Sequence, residues 1–247
     1  MEGIDGHSAA CCNIPPVISE GYEPRGKYET LGGLKTYVTG PASAKKAILV
    51  IYDIFGFFPQ TIQGADILAA AGDYQVFMPD FFEGEPADIA WYPPITESQK
   101  KALYSWFPSR VPATGVTKIP AVLAEVESTY GKKVWAALGF CWGGKVVALT
   151  SGVDTPWKVS AQSHPGMLDA ADAAKVTIPM CVLGSEEEKA EDLEAFGNAL
   201  KEEKHIERFD DQLHGWMSAR ADLADEEVRK EYERGYKTVL EFFAKHF

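Results

Sequence analysis

Hydrophobic residues in this chain fall in continuous runs more often than in alternation. "AILVIYDIF" (47–55), "YQVFMPD" (74–80), "VWAALGF" (134–140), "VSAQSH" (159–164), "IPMCVLG" (178–184) and "IERFD" (206–210) read as strands. Runs of this kind mark parallel strands covered on both faces. Between them the period becomes helical. Residues 61–72 and 114–130 read as helices, the second with Thr114 as its N-cap. Residues 189–203 set Leu193, Phe196 and Leu200 at helical spacing, and 145–149 open a further apolar helix. The last helix, 225–246, carries Val228, Tyr232, Tyr236, Val239, Leu240 and Phe243 on one stripe. Strand and helix alternating in this way predict one α/β domain, a mostly parallel sheet with helices on both faces. No repeat or linker divides it, so 27–247 reads as a single domain preceded by an extension, 1–26.

Residues 81–113 break the rhythm. They hold Pro86, Pro93, Pro94, Pro108 and Pro112 among Trp91, Tyr92, Trp106 and Phe107. Such an excursion after a strand either walls a pocket or packs as a short helix and loop on the sheet edge.

Charge narrows the partners. A net charge of −12 over 247 residues argues against nucleic acid and anionic membranes. No apolar run is long enough to span a bilayer. "MEGIDGHSAACCNIPP" lacks a basic start and an apolar core, so a cytoplasmic protein without a secretory signal is expected. The cysteines Cys11, Cys12, Cys141 and Cys181 are expected to stay reduced. Histidines 7, 164, 205, 214 and 246 form no H-x-x-x-H pair, and no C-x-x-C occurs. No metal or cofactor is therefore expected. The protein could be a monomer or a homodimer.

One corner carries chemistry. Gly139, Cys141, Gly143 and Gly144 lie where a strand meets a helix. A nucleophile on such a turn sits in strained backbone, and flanking glycines give it room. A helix N-terminus favours thiolate, and its free N–H groups can hold an oxyanion. Two other readings use the same residues. Gly139 to Lys145 matches the phosphate loop G-x-x-x-x-G-K, but Val146 stands where Ser or Thr should follow. The other is a buried structural cysteine beside packing glycines.

A thiol nucleophile needs a base, and the base needs an orienting acid. In α/β-hydrolases the order is nucleophile, acid, histidine, the last two after late strands. "CVLGSEEEKAED" follows a late strand and "DQLHGWMSAR" the final one. His214 is the candidate base, and the acid is Glu186, Glu187 or Glu188. Asp169, after an earlier strand, is the second choice.

From about residue 27 onward the chain resembles the dienelactone hydrolase family, in particular its fungal-type members. The likeness rests on "IYDIFGF" (51–57), "QGADILAAAG" (63–72), "MPDFFEGEP" (78–86), "GFCWGG" (139–144), "SHPG" (163–166), "LGSEEE" (183–188) and "HGW" (214–216). It implies an α/β-hydrolase fold and hydrolysis of a small ester or lactone by acyl transfer. Cys141 would be the nucleophile and His214 the base. Glu187 would be the acid in the family's aspartate position, with Glu186 as its substitute. The resemblance also puts the oxyanion on the backbone N–H groups of Ile54 and Trp142. It makes Asp53 a carboxylate that restrains the resting thiol. Phe55, His164 and Trp216 are expected to line the pocket. "FFEGEP" lacks the arginine that bacterial members use for a substrate carboxylate, leaving Arg220, Arg110, Lys100 and Lys101 as cations to place. A non-catalytic ligand-binding or regulatory protein with a retired hydrolase pocket is the alternative.

Overall fold

The continuous apolar runs form the interior of one sheet. In the computed structural model, which describes residues 17–247, the strands are β1 (Lys27–Leu31), β2 (Leu34–Thr39), β3 (Lys46–Ile51), β4 (Tyr74–Pro79), β5 (Val134–Phe140), β6 (Trp157–Ser163), β7 (Met180–Ser185) and β8 (Lys204–Phe209). Their order is β1-β2-β4-β3-β5-β6-β7-β8. Pairing is parallel from β4 through β3 to β8, while β2 lies antiparallel to both β1 and β4. The helices are α1 (Pro59–Ala71), α2 (Glu97–Trp106), α3 (Pro112–Tyr130), α4 (Trp142–Thr150), α5 (Ala170–Ala173), α6 (Ala190–Ala199) and α7 (Glu226–His246). They cover both faces, α1 packing with α7 and α3 with α4. No helix among the described residues is long and apolar enough to cross a membrane.

Two departures from the sequence reading, at β1–β2 and at the start of α3, have physical causes. β1 and β2 carry polar residues between apolar ones, and β1 is an edge strand with mostly open side chains. The 81–113 excursion holds α2, started by a Thr96–Gln99 capping box. α3 begins earlier than expected, with Val111 as N-cap and Pro112 in the first turn. Proline has no N–H to satisfy and a preset φ, so no side-chain cap is needed. The Thr114 hydroxyl instead donates back to the Val111 carbonyl at 2.8 Å.

Of the expected extension, residues 1–16, with His7, Cys11 and Cys12, lie outside the described residues. The remainder is docked on α1. Ile18 exchanges hydrogen bonds with Gln63, while the Tyr22 hydroxyl (2.5 Å) and the Arg25 N–H (3.0 Å) both donate to buried Asp66.

Between β5 and α4 the chain turns at Cys141, whose φ of 50° and ψ of −110° leave the allowed regions for an L-residue. The turn needs its glycines. A Cβ on Gly139 would overlap the Gly143 carbonyl, and one on Gly143 would overlap the carbonyl oxygen of Ile51 in β3. We expect Gly143→Ala to cost about 3 kcal/mol, the upper range for an overpacked core. Thermal unfolding should show this as a fall of roughly 6–12 °C.

Candidate active site

Four strands of the sheet deliver functional groups at their C-terminal ends. Cys141 follows β5, Asp53 follows β3, His164 follows β6 and Glu188 follows β7. His214 comes from the segment between β8 and α7. The Cys141 thiol is half-buried and free, and it faces the same space as the His214 imidazole, whose pKa it raises. Both line a small cavity of about 20 Å³, together with Asp53, Ile54, Phe55, Tyr92, His164 and Arg220. A groove of about 900 Å³ between α3 and the end of α4 is far larger, yet it shares none of these residues and has no cysteine or histidine in its wall. Chemistry, not size, selects the small cavity.

The structure corrects the choice of acid. Glu188, not Glu187, meets the imidazole: its Oε1 lies 2.6 Å from His214 Nδ1, and its Oε2 accepts the Ser185 N–H at 2.6 Å. Glu187 reaches the backbone instead, accepting the His214 N–H at 3.0 Å and pairing with Arg220 at 3.3 Å. Glu186 is exposed, and Asp169 only caps α5. Burial alone would lower the His214 pKa, but Cys141 and then Glu188 outweigh it and lift the imidazole from 6.5 to about 11. Burial pushes Glu188 up; the His214 contact more than reverses this and leaves the carboxyl below its ordinary value. An imidazolium between a sulfur and a carboxylate results.

Other expected site residues divide. Ile54 and Phe55 stand on the cavity wall. Trp142 follows Cys141 as the first residue of α4, but its ring turns away, edge-to-face with Phe82 at 4.8 Å and donating to the Arg110 carbonyl at 2.7 Å. Among the described residues, neither the Ile54 nor the Trp142 N–H is taken by a backbone acceptor. Trp216 is not a pocket residue. It is fully buried in the core, 4.2 Å from the Phe209 ring, because the turn after His214 carries it under α7. Asp53 is buried, and its carboxylate accepts from the Ser218 hydroxyl (2.5 Å), the Phe55 N–H (2.9 Å) and the Ala219 N–H (3.2 Å). Burial raises its pKa against those three donors.

Of the cations, only Arg220 reaches the cavity, lying 4.7 Å over the Tyr92 ring and donating to the His214 carbonyl. Arg110 pairs with Glu85 and Lys100 with Glu97. Lys145, the lysine of the phosphate-loop pattern, is held by Asp172 at 2.6 Å and by the Met167 carbonyl at 2.9 Å. It cannot cradle a phosphate from there. Cys181 is fully buried. Sequence reasoning passed over Ser218, whose only signal is a polar residue inside the apolar stretch "GWMSA".

The profile of the dienelactone hydrolase family matches residues 34–247. The chain belongs to the dienelactone hydrolase family. An uncharacterized AIM2 family protein of Schizosaccharomyces pombe is 36% identical over 95% of this chain and 98% of its own. A carboxymethylenebutenolidase homolog of Xenopus tropicalis is 28% identical, covering 95% of this chain and 96% of the relative. A crystal structure of dienelactone hydrolase from Anabaena variabilis superposes with a TM-score of 0.64 at 10% identity, over 91% of this chain and 98% of that one. At such identity it speaks for the fold alone. This dienelactone hydrolase family member thus has an α/β-hydrolase fold, and its family is one of hydrolases.

The ion pair makes stability pH-dependent in a defined window. The raised His214 contributes fully below pH 6.5 and loses its contribution as pH climbs through about 11. The depressed Glu188 contributes above its ordinary 4.5 and loses this as pH falls through its lower folded value. Glu188→Gln should therefore lower stability by about 2 kcal/mol at neutral pH. Melting curves recorded against pH should show the gap between variant and wild type closing in acid.

Proposed function

We propose that this protein hydrolyses a small ester or lactone through a covalent intermediate on Cys141. The observation that carries the reading is one half-buried thiol sharing a small cavity with His214, itself held at Nδ1 by Glu188. The thiol's proton rests on His214, so the sulfur attacks the carbonyl carbon with its free pair, and a C–S bond forms as the C=O π pair moves to oxygen. The developing oxyanion rests on the Ile54 and Trp142 N–H groups. As the intermediate collapses the C–O bond breaks, and His214 gives its proton to the leaving alkoxide. A water then attacks the thioester, its proton passes to His214, and the C–S bond breaks to release the acid. Glu188 holds the imidazole in its working tautomer throughout.

A cavity of about 20 Å³ fits the reacting carbonyl and little beyond it. The rest of the substrate lies across Tyr92 and Arg220. The carboxymethylenebutenolidase homologs among the relatives support an anionic lactone, with Arg220 as the cation that meets it. A thiol that works in this way must stay reduced, which suits a cytoplasmic setting.

Cys141→Ala should cut turnover of p-nitrophenyl acetate by at least about 10³-fold while the protein stays folded. Cys141→Ser should lose a large part of the activity too. Undiminished turnover in Cys141→Ala would discard the mechanism. For the substrate class, Arg220→Gln should raise KM for a carboxylate-bearing lactone by about tenfold and leave an uncharged lactone nearly unaffected. Equal effects on both would remove Arg220 from substrate binding.

A further inference from the structure

We propose that Ser218 and His164 are positioning residues that carry the negative charge of Asp53 to His214, giving the imidazolium a second carboxylate besides Glu188. The proposal rests on the hydrolase reading of the same site.

The links are all present. The Ser218 hydroxyl has a single proton, and the Asp53 carboxylate at 2.5 Å is where it goes. Three donors and no acceptor face that carboxylate, which suits the ionised form. His164 Nε2 lies 3.3 Å from the same hydroxyl oxygen. Because the Ser218 proton is already committed, this second contact needs its proton from His164. That selects the Nε2–H tautomer and leaves a lone pair on Nδ1, a buried atom without a partner. The ring is wedged between Phe140, stacked at 5.7 Å, and His214, edge-to-face at 4.9 Å. Hydrogen bonds in a chain polarise one another, so the Asp53 charge enriches the His164 ring where it meets the His214 imidazolium.

His164 can serve this purpose only while neutral, and full burial together with the charge of His214 holds its pKa well below 6.5. The charged and titratable groups around His214 are Cys141 from the elbow, Glu187 and Glu188 after β7, His164 after β6, Asp53 after β3, Tyr92 from the 81–113 excursion, and Arg220 from its own loop.

The test titrates His214 by NMR of its ring protons in a Cys141→Ala background, where no turnover is needed. Adding Ser218→Ala should lower the His214 midpoint by about half a pH unit or more. Adding His164→Leu should do the same, whereas His164→Gln, whose Nε2 can still donate to Ser218, should keep most of the value of the Cys141→Ala parent. A midpoint unmoved by Ser218→Ala overturns the proposal, as do equal midpoints for the leucine and glutamine variants, which would mean simple packing. Should Ser218→Ala fail to fold, the pair at position 164 decides alone. Failure of the hydrolase reading would appear elsewhere, as activity surviving Cys141→Ala itself.

Discussion

The backbone at Cys141 governs the rest of the site. Its dihedrals lie in a region that costs about 1–3 kcal/mol, so the surroundings must over-determine it. They do so from three directions. The Cys141 N–H donates to the Ser163 carbonyl at 3.2 Å, and its own carbonyl accepts the N–H groups of Gly144 and Gly166 at 3.0 Å each. Gly143 meanwhile lets α4 press against the end of β3 without a Cβ in the way. With the main chain tied at both polar atoms, the thiol is the part left to face the cavity. His164, Glu188, Asp53 and His214 need only arrive at strand ends already brought together by the parallel sheet.

That architecture explains which parts of the molecule were legible. Strands β3 to β7 are buried on both faces and therefore appear in the sequence as plain apolar runs. β1 lies at the sheet edge, where "KYETL" is mostly open to solvent, and no run marks it. Cys141 and His214 stood out in the sequence because each is a chemically distinct residue within two positions of glycine. The acid was not, because "EEE" offers three equal carboxylates. The choice among them is made by the turn after Ser185, which sends Glu187 and Glu188 to different partners. Trp216 shows the reverse error: proximity in sequence to His214 suggested the pocket, but one turn later the chain is under α7.

Two histidines 4.9 Å apart are driven to opposite charge states by their neighbours. His164 is fully buried and His214 largely so, and burial alone would disfavour the charge on both. His214 has the sulfur on one side and a carboxylate at 2.6 Å on the other, enough to keep its proton. His164 has only a serine hydroxyl, itself turned toward Asp53, and stays neutral. Unlike surroundings thus give one side-chain type two different electrostatic characters within one cavity.

The consecutive glutamates after β7 show how closely the acid and the cation are coupled. Glu188 bridges the imidazole and the Ser185 N–H, so its carboxylate is fully engaged by groups that do not move with substrate. Glu187 holds the His214 N–H and Arg220 together. It thereby fixes the histidine loop at its backbone while its neighbour fixes the same residue at its ring. Arg220 also spans the Tyr92 face and the His214 carbonyl, so its guanidinium is already solvated by the protein on several sides. An incoming carboxylate would compete with Glu187, which is the more exposed and more weakly engaged of these partners. Displacing it would loosen the backbone tether of His214 and leave the Glu188 bond to the ring intact. The division of labour between two adjacent glutamates thus leaves the ring of His214 held by Glu188 even where the partner of Arg220 changes.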